Sequence, residues 1–139
     1  MLPFLVIVLR FRDFDEPMDG IIYASFLALG FSVIENFHFF GHLTADEALA
    51  RGFAGPVVHI VFASVWGYRI GAARLAGQSI LPAAVVWLGV AALLHGVYDF
   101  IVLGFSDAAL FAASAIIVAV WIWRLRLVWR LQRQPPGNQ

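Results

Sequence analysis

The sequence predicts an all-α fold, a polytopic bundle of transmembrane helices, and three observations support this. Of the 139 residues, 62% are hydrophobic and only 13% are charged. The mean hydropathy of +0.86 exceeds what a soluble domain of this size can accommodate in its core. The apolar residues also fall into four long stretches, most of which reach the ~20 residues that a helical span requires. The four main spans are predicted at 19–40, 54–69, 79–103 and 108–129.

The two ends of the chain are not expected to form complete spans. The segment from Leu2 to Leu9 is apolar but too short to span a membrane, and we interpret it as an N-terminal partial helix, the second half of a longer one. Residues 1–133 are expected to form a single transmembrane domain. The polar tail 134–139 contains Pro135, Pro136 and Gly137 and is expected to be disordered.

Polar breaks with turn and capping chemistry separate the spans. Pro17 suits the first turn of a helix, because its missing N–H is not needed there. Thr44 and Ser106 are predicted N-caps, since their hydroxyl oxygens can accept a hydrogen bond from a free backbone N–H. The segments 41–53 and 104–107 are therefore expected to be loops.

The distribution of arginine predicts the orientation in the membrane. Cytoplasmic loops carry the excess of basic residues, and all nine basic residues of this chain are Arg. Eight of them flank segment 10–18, loop 70–78 or the C-terminus, whereas only Arg51 lies on the alternate side. The C-terminus is thus predicted to be cytoplasmic, in what we expect to be a bacterial inner membrane. The formal net charge of zero argues against a nucleic-acid partner.

Four ionisable residues inside the predicted spans indicate a functional site: Glu35, His59, His95 and Asp99. Such side chains in hydrocarbon face a bundle interior or a cavity, because their insertion costs roughly 2.5–3.5 kcal/mol. At ~1.5 Å rise per residue, Glu35 lies about 24 Å above the cytoplasmic start of its span. His59 and His95 fall in the same outer part of the membrane. A shared depth on three helices is what one convergent site requires.

The chemistry of these side chains suits a divalent metal, with zinc as the default. The chain has no cysteine, so the ligands must be imidazoles and carboxylates. His95 and Asp99 are spaced i,i+4 on one helix face, and Asp99 can bind the metal or accept the second N–H of the imidazole. His59 offers another imidazole, and Glu35 is a candidate ligand or acid-base group. The alternative is that these groups only pair to hold helices together.

Two further histidines, His38 and His42, are predicted at the outer interface, where water satisfies them. We expect no direct role for either of them.

Three blocks of the sequence resemble the PrsW family of intramembrane metalloproteases, which are related to the wider CPBP group. The first block is Phe-Asp-Glu-Pro-Met-Asp-Gly-Ile-Ile-Tyr at 14–23, followed by Ala-Leu-Gly-Phe-Ser-Val-Ile-Glu-Asn at 28–36. The second is His59 with Gly-Tyr at 67–68 downstream. The third is Leu-His-Gly-Val-Tyr-Asp-Phe at 94–100. The order and spacing of the blocks make the match more specific than any single block.

The resemblance implies a membrane protease that cuts a membrane-anchored protein substrate, such as an anti-sigma factor, near its extracytoplasmic side. PrsW-like proteins also carry a Glu-Glu-x-x-Lys motif on the helix before the acidic loop. No glutamate pair occurs in this chain, and Met1 stands where that helix should be under way. A second departure is Ala63, where the family often has Thr. We expect the chain to be an N-terminally shortened form of a longer protease, the alternative being a natural short member without catalysis.

Two other functions compete with proteolysis. The first is a non-catalytic membrane scaffold that binds a transmembrane partner. The second is a small transporter in which His95 and Asp99 relay protons. A transporter needs a polar path across the whole bilayer, and the inner half of the spans offers no polar residues to line one.

Overall fold

The computed structural model describes residues 4, 6, 8, 10–104 and 107–133, with side chains for all of these except 103, 104, 107–110 and 112. Four helices have both ends within the described residues: α1 (Pro17–Phe40), α2 (Ala45–Leu75), α3 (Ile80–Gly104) and α4 (Asp107–Gln132). No strand occurs in the described ranges. The predicted all-α class is therefore confirmed. The predicted cap Ser106 and the tail 134–139 lie outside the described residues.

Within the described residues, three helices are long and apolar enough to cross a membrane. They are α1, α2 and the Ile80–Val102 part of α3. The fourth predicted span, 108–129, coincides with α4, and its crossing of the membrane stays a prediction. At the N-terminus, Phe4, Val6, Val8 and Arg10 are helical, and the Phe4 ring packs edge-on against Trp66 of α2 with 4.7 Å between centroids.

Helix α2 begins earlier than the sequence predicted. Thr44 is its N-cap as expected: the Thr44 hydroxyl oxygen accepts from the Glu47 N–H at 3.4 Å, and Glu47 Oε2 accepts from the Thr44 N–H at 2.8 Å. This reciprocal capping starts the helix at Ala45, so most of the predicted loop 41–53 is helical. This earlier start places Arg51 on the same membrane helix as His59.

Helix α2 lies at the centre of the bundle and contacts the other three helices. Its contact with α1 is the most extensive, followed by those with α3 and α4. Small residues bring α1 and α2 together at the predicted inner end. A Cβ atom at Gly20 would overlap the carbonyl oxygen of Gly67, and one at Gly67 would overlap Ala24. Glycine is therefore required at both positions for this close approach. The contact sets the alignment of the two helices further out, where Glu35 and His59 lie.

We expect Gly20→Ala to destabilise the protein by about 1–3 kcal/mol, because the added methyl group forces the two backbones apart. Gly30→Ala is the matched control on the same helix, since a Cβ there meets nothing within 4 Å. Thermal unfolding in detergent should show a lower Tm for the first variant only. Equal Tm values for the two variants would contradict this packing.

Candidate active site

Glu35 joins α1 to α2 through two partners. Its Oε2 atom accepts a hydrogen bond from Arg51 Nη2 at 2.8 Å and lies 2.9 Å from His59 Nε2. Arg51 and His59 are eight residues apart on α2 with Gly55 midway, so all three share one face of the helix. The carboxylate thus bridges two turns of α2, and His59 is 9% exposed.

His59 in turn meets His95 of α3. The two imidazole rings are 4.8 Å apart between centroids and inclined by 34°. His95 Nδ1 lies 3.0 Å from Asp99 Oδ2, which is the i,i+4 pair that the spacing predicts. Phe31 packs edge-on against His59 and Phe62 against His95, so the rings are held by aromatic neighbours.

The four predicted site residues therefore lie together. Together with Arg51 they form a continuous series of contacts across three helices. Glu35 contacts Arg51 and His59, the His59 ring contacts the His95 ring, and His95 contacts Asp99. Their roles as catalyst and ligands stay predictions. His38 lies in the last turn of α1 and His42 in the turn that follows, with their rings 6.4 Å apart.

Arg51 is the residue that sequence reasoning missed. The predicted loop 41–53 placed it outside the membrane, whereas the structure stacks its guanidinium over the Phe39 ring at 4.1 Å and pairs it with Glu35. Two signals in the sequence point to it: Arg51 is the single arginine on the outer side, and it precedes His59 by eight residues. The pairing places a positive charge beside the partly buried Glu35 carboxylate, where an unpaired charge would be costly.

The donor chemistry of this cluster fits a divalent metal. It offers two imidazoles and two carboxylates without a thiolate. No three His, Cys, Asp or Glu side chains within the described ranges are arranged to hold an ion together. The reason is that Glu35 faces Arg51 and His59, while Asp99 faces His95.

The fold and this cluster define a class of protein: an integral membrane protein of long apolar helices that carries paired His and carboxylate groups within its spans. A family model described as "PrsW family intramembrane metalloprotease" matches residues 1–125. The chain belongs to this family, as its sequence blocks indicate.

Curated relatives agree with the family model. The chain is 32% identical to Protease PrsW of Oceanobacillus iheyensis over 130 residues, covering 94% of this chain and 59% of the relative. It is also 32% identical to Protease PrsW of Bacillus subtilis over 127 residues, covering 88% and 56%, respectively. The corresponding protein of Clostridioides difficile is 32% identical over 120 residues, covering 82% and 50%. The chain thus spans between 50% and 59% of the length of these three relatives. No solved structure matches the chain significantly.

We expect Arg51→Gln to destabilise the α1–α2 contact by about 1.5–3 kcal/mol, since a hydrogen bond to a charged partner is lost and the carboxylate loses its cation. Arg51→Lys should recover part of this, because it restores the charge without the planar fork. Arg12→Gln, at an exposed position outside the helices, is the control. Unfolding in detergent measures the effect. A double variant Arg51→Gln/Glu35→Gln whose loss equals the sum of the two single losses would show that the pair is not coupled.

Proposed function

We propose that this chain carries out metal-dependent hydrolysis of a peptide bond within the membrane, on a membrane-anchored protein such as an anti-sigma factor. The observation that carries the proposal is the contact of Glu35 with His59 and of His59 with His95, which unites a carboxylate and two imidazoles from three helices. Family membership supports the reaction class. The position of the cluster toward the predicted outer end of the spans favours cleavage near the extracytoplasmic side.

Each side chain of the cluster has a defined task in this proposal. Asp99 accepts the Nδ1 hydrogen of His95, which leaves Nε2 with the lone pair that a metal ligand needs. His59 and His95 would hold the metal, and zinc would supply Lewis acidity at the scissile carbonyl. Asp99 is therefore better suited to orient His95 than to bind the metal itself.

Glu35 is the proposed general base. In the hydrolysis a water oxygen bonds to the carbonyl carbon, the carbon–nitrogen bond breaks, and a proton from the water passes to the leaving nitrogen. Glu35 can accept that proton and return it, and its contacts with Arg51 and His59 hold the carboxylate in position. Phe31 and Phe62 pack edge-on against the two imidazoles and hold the rings in place beside Glu35.

We expect His95→Ala to lose both bound metal and cleavage, and Asp99→Asn to weaken metal binding about 10–100-fold, since outer-shell partners of ligating histidines have effects of this size. Zinc content of the purified protein and cleavage of a single-span reporter in bacterial membranes measure the two effects. His42→Ala is the control, because His42 lies in the turn beyond α1.

The opposite result would change the functional class. If His95→Ala retains its metal, the proposed ligand set is wrong. If the unmodified chain binds no divalent metal and cleaves nothing while it still captures a transmembrane partner, the scaffold function replaces proteolysis.

We further propose that the C-terminus and the turn around Gln78 face the cytoplasm of a bacterial inner membrane, whereas the turn at His42 faces outward. The positive-inside rule supports this orientation. The chain has no cysteine, so single cysteines can be placed at either turn without background. His42→Cys should react with a membrane-impermeant thiol reagent on intact spheroplasts, and Gln78→Cys should react only after lysis. The reverse pattern would contradict the orientation.

A further inference from the structure

The face of α2 between Arg51 and His59 meets two polar side chains of α1. Gly55 occupies the middle of this face, and a Cβ atom there would lie 3.3 Å from Asn36 Oδ1 and 3.5 Å from Ser32 Oγ. Ser32 and Asn36 are spaced i,i+4, so both lie on the side of α1 that packs against α2. Glycine at position 55 is what allows these side chains to come this close to the backbone.

Ser32 Oγ and Asn36 Oδ1, at this contact, have no hydrogen-bond partner among the described residues. The same holds for Nε of Arg51, which lies one helical turn before Gly55 on α2. Ser32 is fully buried, and Asn36 is only 7% exposed. An unpaired buried polar atom destabilises the folded state, because it has lost its water without gaining a partner. Buried polar groups in proteins are nearly always paired, either with protein atoms or with ordered water. Each of these three atoms therefore calls for a partner.

Pro56 adds a fourth polar group to the same region. Proline has no N–H, so the carbonyl of Gly52, four residues earlier, receives no helical hydrogen bond from position 56. Within membrane spans, such freed groups are satisfied by neighbouring hydroxyl side chains and by ordered water. The Gly52 carbonyl, which lacks this helical hydrogen bond, thus lies within one turn of Arg51 and Gly55.

We propose that Ser32, Asn36 and Arg51 bind an ordered water molecule between α1 and α2, next to Glu35. The water donates to Asn36 Oδ1 and accepts from the Arg51 Nε–H, and the Ser32 hydroxyl completes its coordination. Three partners are the usual number for a buried water. The mixture of donors and acceptors suits water better than an ion, because Arg51 repels a cation and Glu35 repels an anion.

The position of this water allows it to serve as the hydrolytic water, a role that rests on the proposed function. Every peptide bond cleaved consumes one water molecule, and water is scarce in the hydrocarbon region. Arg51 and His59 flank Gly55 on one face of α2, and both contact Glu35, the proposed base. A water retained by Ser32, Asn36 and Arg51 is therefore one side chain away from the group that activates it.

The binding of water is tested without any activity assay. In lipid bilayers, magnetisation transfer from water to the Asn36 side-chain amide should be seen by proton-detected solid-state NMR. Ser32→Ala should reduce this transfer about fivefold or more, since the water loses one of its three partners. Ser64→Ala is the matched control, because Ser64 is also fully buried but its hydroxyl already donates to the Ile60 carbonyl at 2.8 Å. Absence of transfer in the unmodified chain, or equal transfer in Ser32→Ala, would overturn the site.

Thermal stability gives a second readout of the same variants. If the Ser32 hydroxyl holds the water, Ser32→Ala lowers the Tm, because hydrogen bonds are lost. If the hydroxyl is unpaired in the bilayer, its removal leaves the Tm unchanged or raises it. That second result would contradict the proposal even in a variant that folds normally.

The link to catalysis is tested separately in the cleavage assay. Ser32→Ala should lower kcat about tenfold with little change in KM, which corresponds to about 1.4 kcal/mol in the barrier. An unchanged kcat would show that the water does not supply the reaction. If the unmodified chain cleaves nothing but the water transfer to Asn36 is present, the hydrolytic function fails and the water site stands.

Discussion

The structure depends most on a single carboxylate, that of Glu35. Its Oε2 atom contacts Arg51 and His59 on α2, so one side chain of α1 ties the two helices together where the functional groups lie. Charges within a membrane are tolerated only when they are paired. Removal of one partner leaves the other charge uncompensated in an apolar environment, which is why the ion pair serves both stability and the position of the proposed base.

Close helix packing makes this contact possible. Glycines 20 and 67 let α1 and α2 touch at one end, and Gly55 lets them touch again beside the site. On the other side of α2, α3 brings His95 against His59, with Asp99 holding the second imidazole. The site is therefore assembled on the central helix, and its carboxylate and two imidazoles come from three different helices.

The fold and part of the site follow from the sequence because the membrane imposes simple rules. Long apolar stretches must be helices, and ionisable residues at one depth must converge, which is how Glu35, His59 and His95 could be identified. The pairing of Arg51 with Glu35 was missed, because it depends on where α2 begins, and the Thr44 cap extends that helix beyond its apolar part. The contact of Ser32 with Gly55 was equally hidden, since it arises from the packing of two helices rather than from any motif.

The central claim is that the Glu35 carboxylate of α1 and the His59 imidazole of α2 are hydrogen-bonded when the protein is in a bilayer. A carbon–nitrogen distance measurement by solid-state NMR, between the labelled Glu35 carboxyl carbon and the His59 ring nitrogens, tests it directly. A separation below about 4.5 Å is the expected result for a hydrogen-bonded pair. A separation beyond about 6 Å, which exceeds any hydrogen-bonded geometry, would contradict both the bridge and the site built on it.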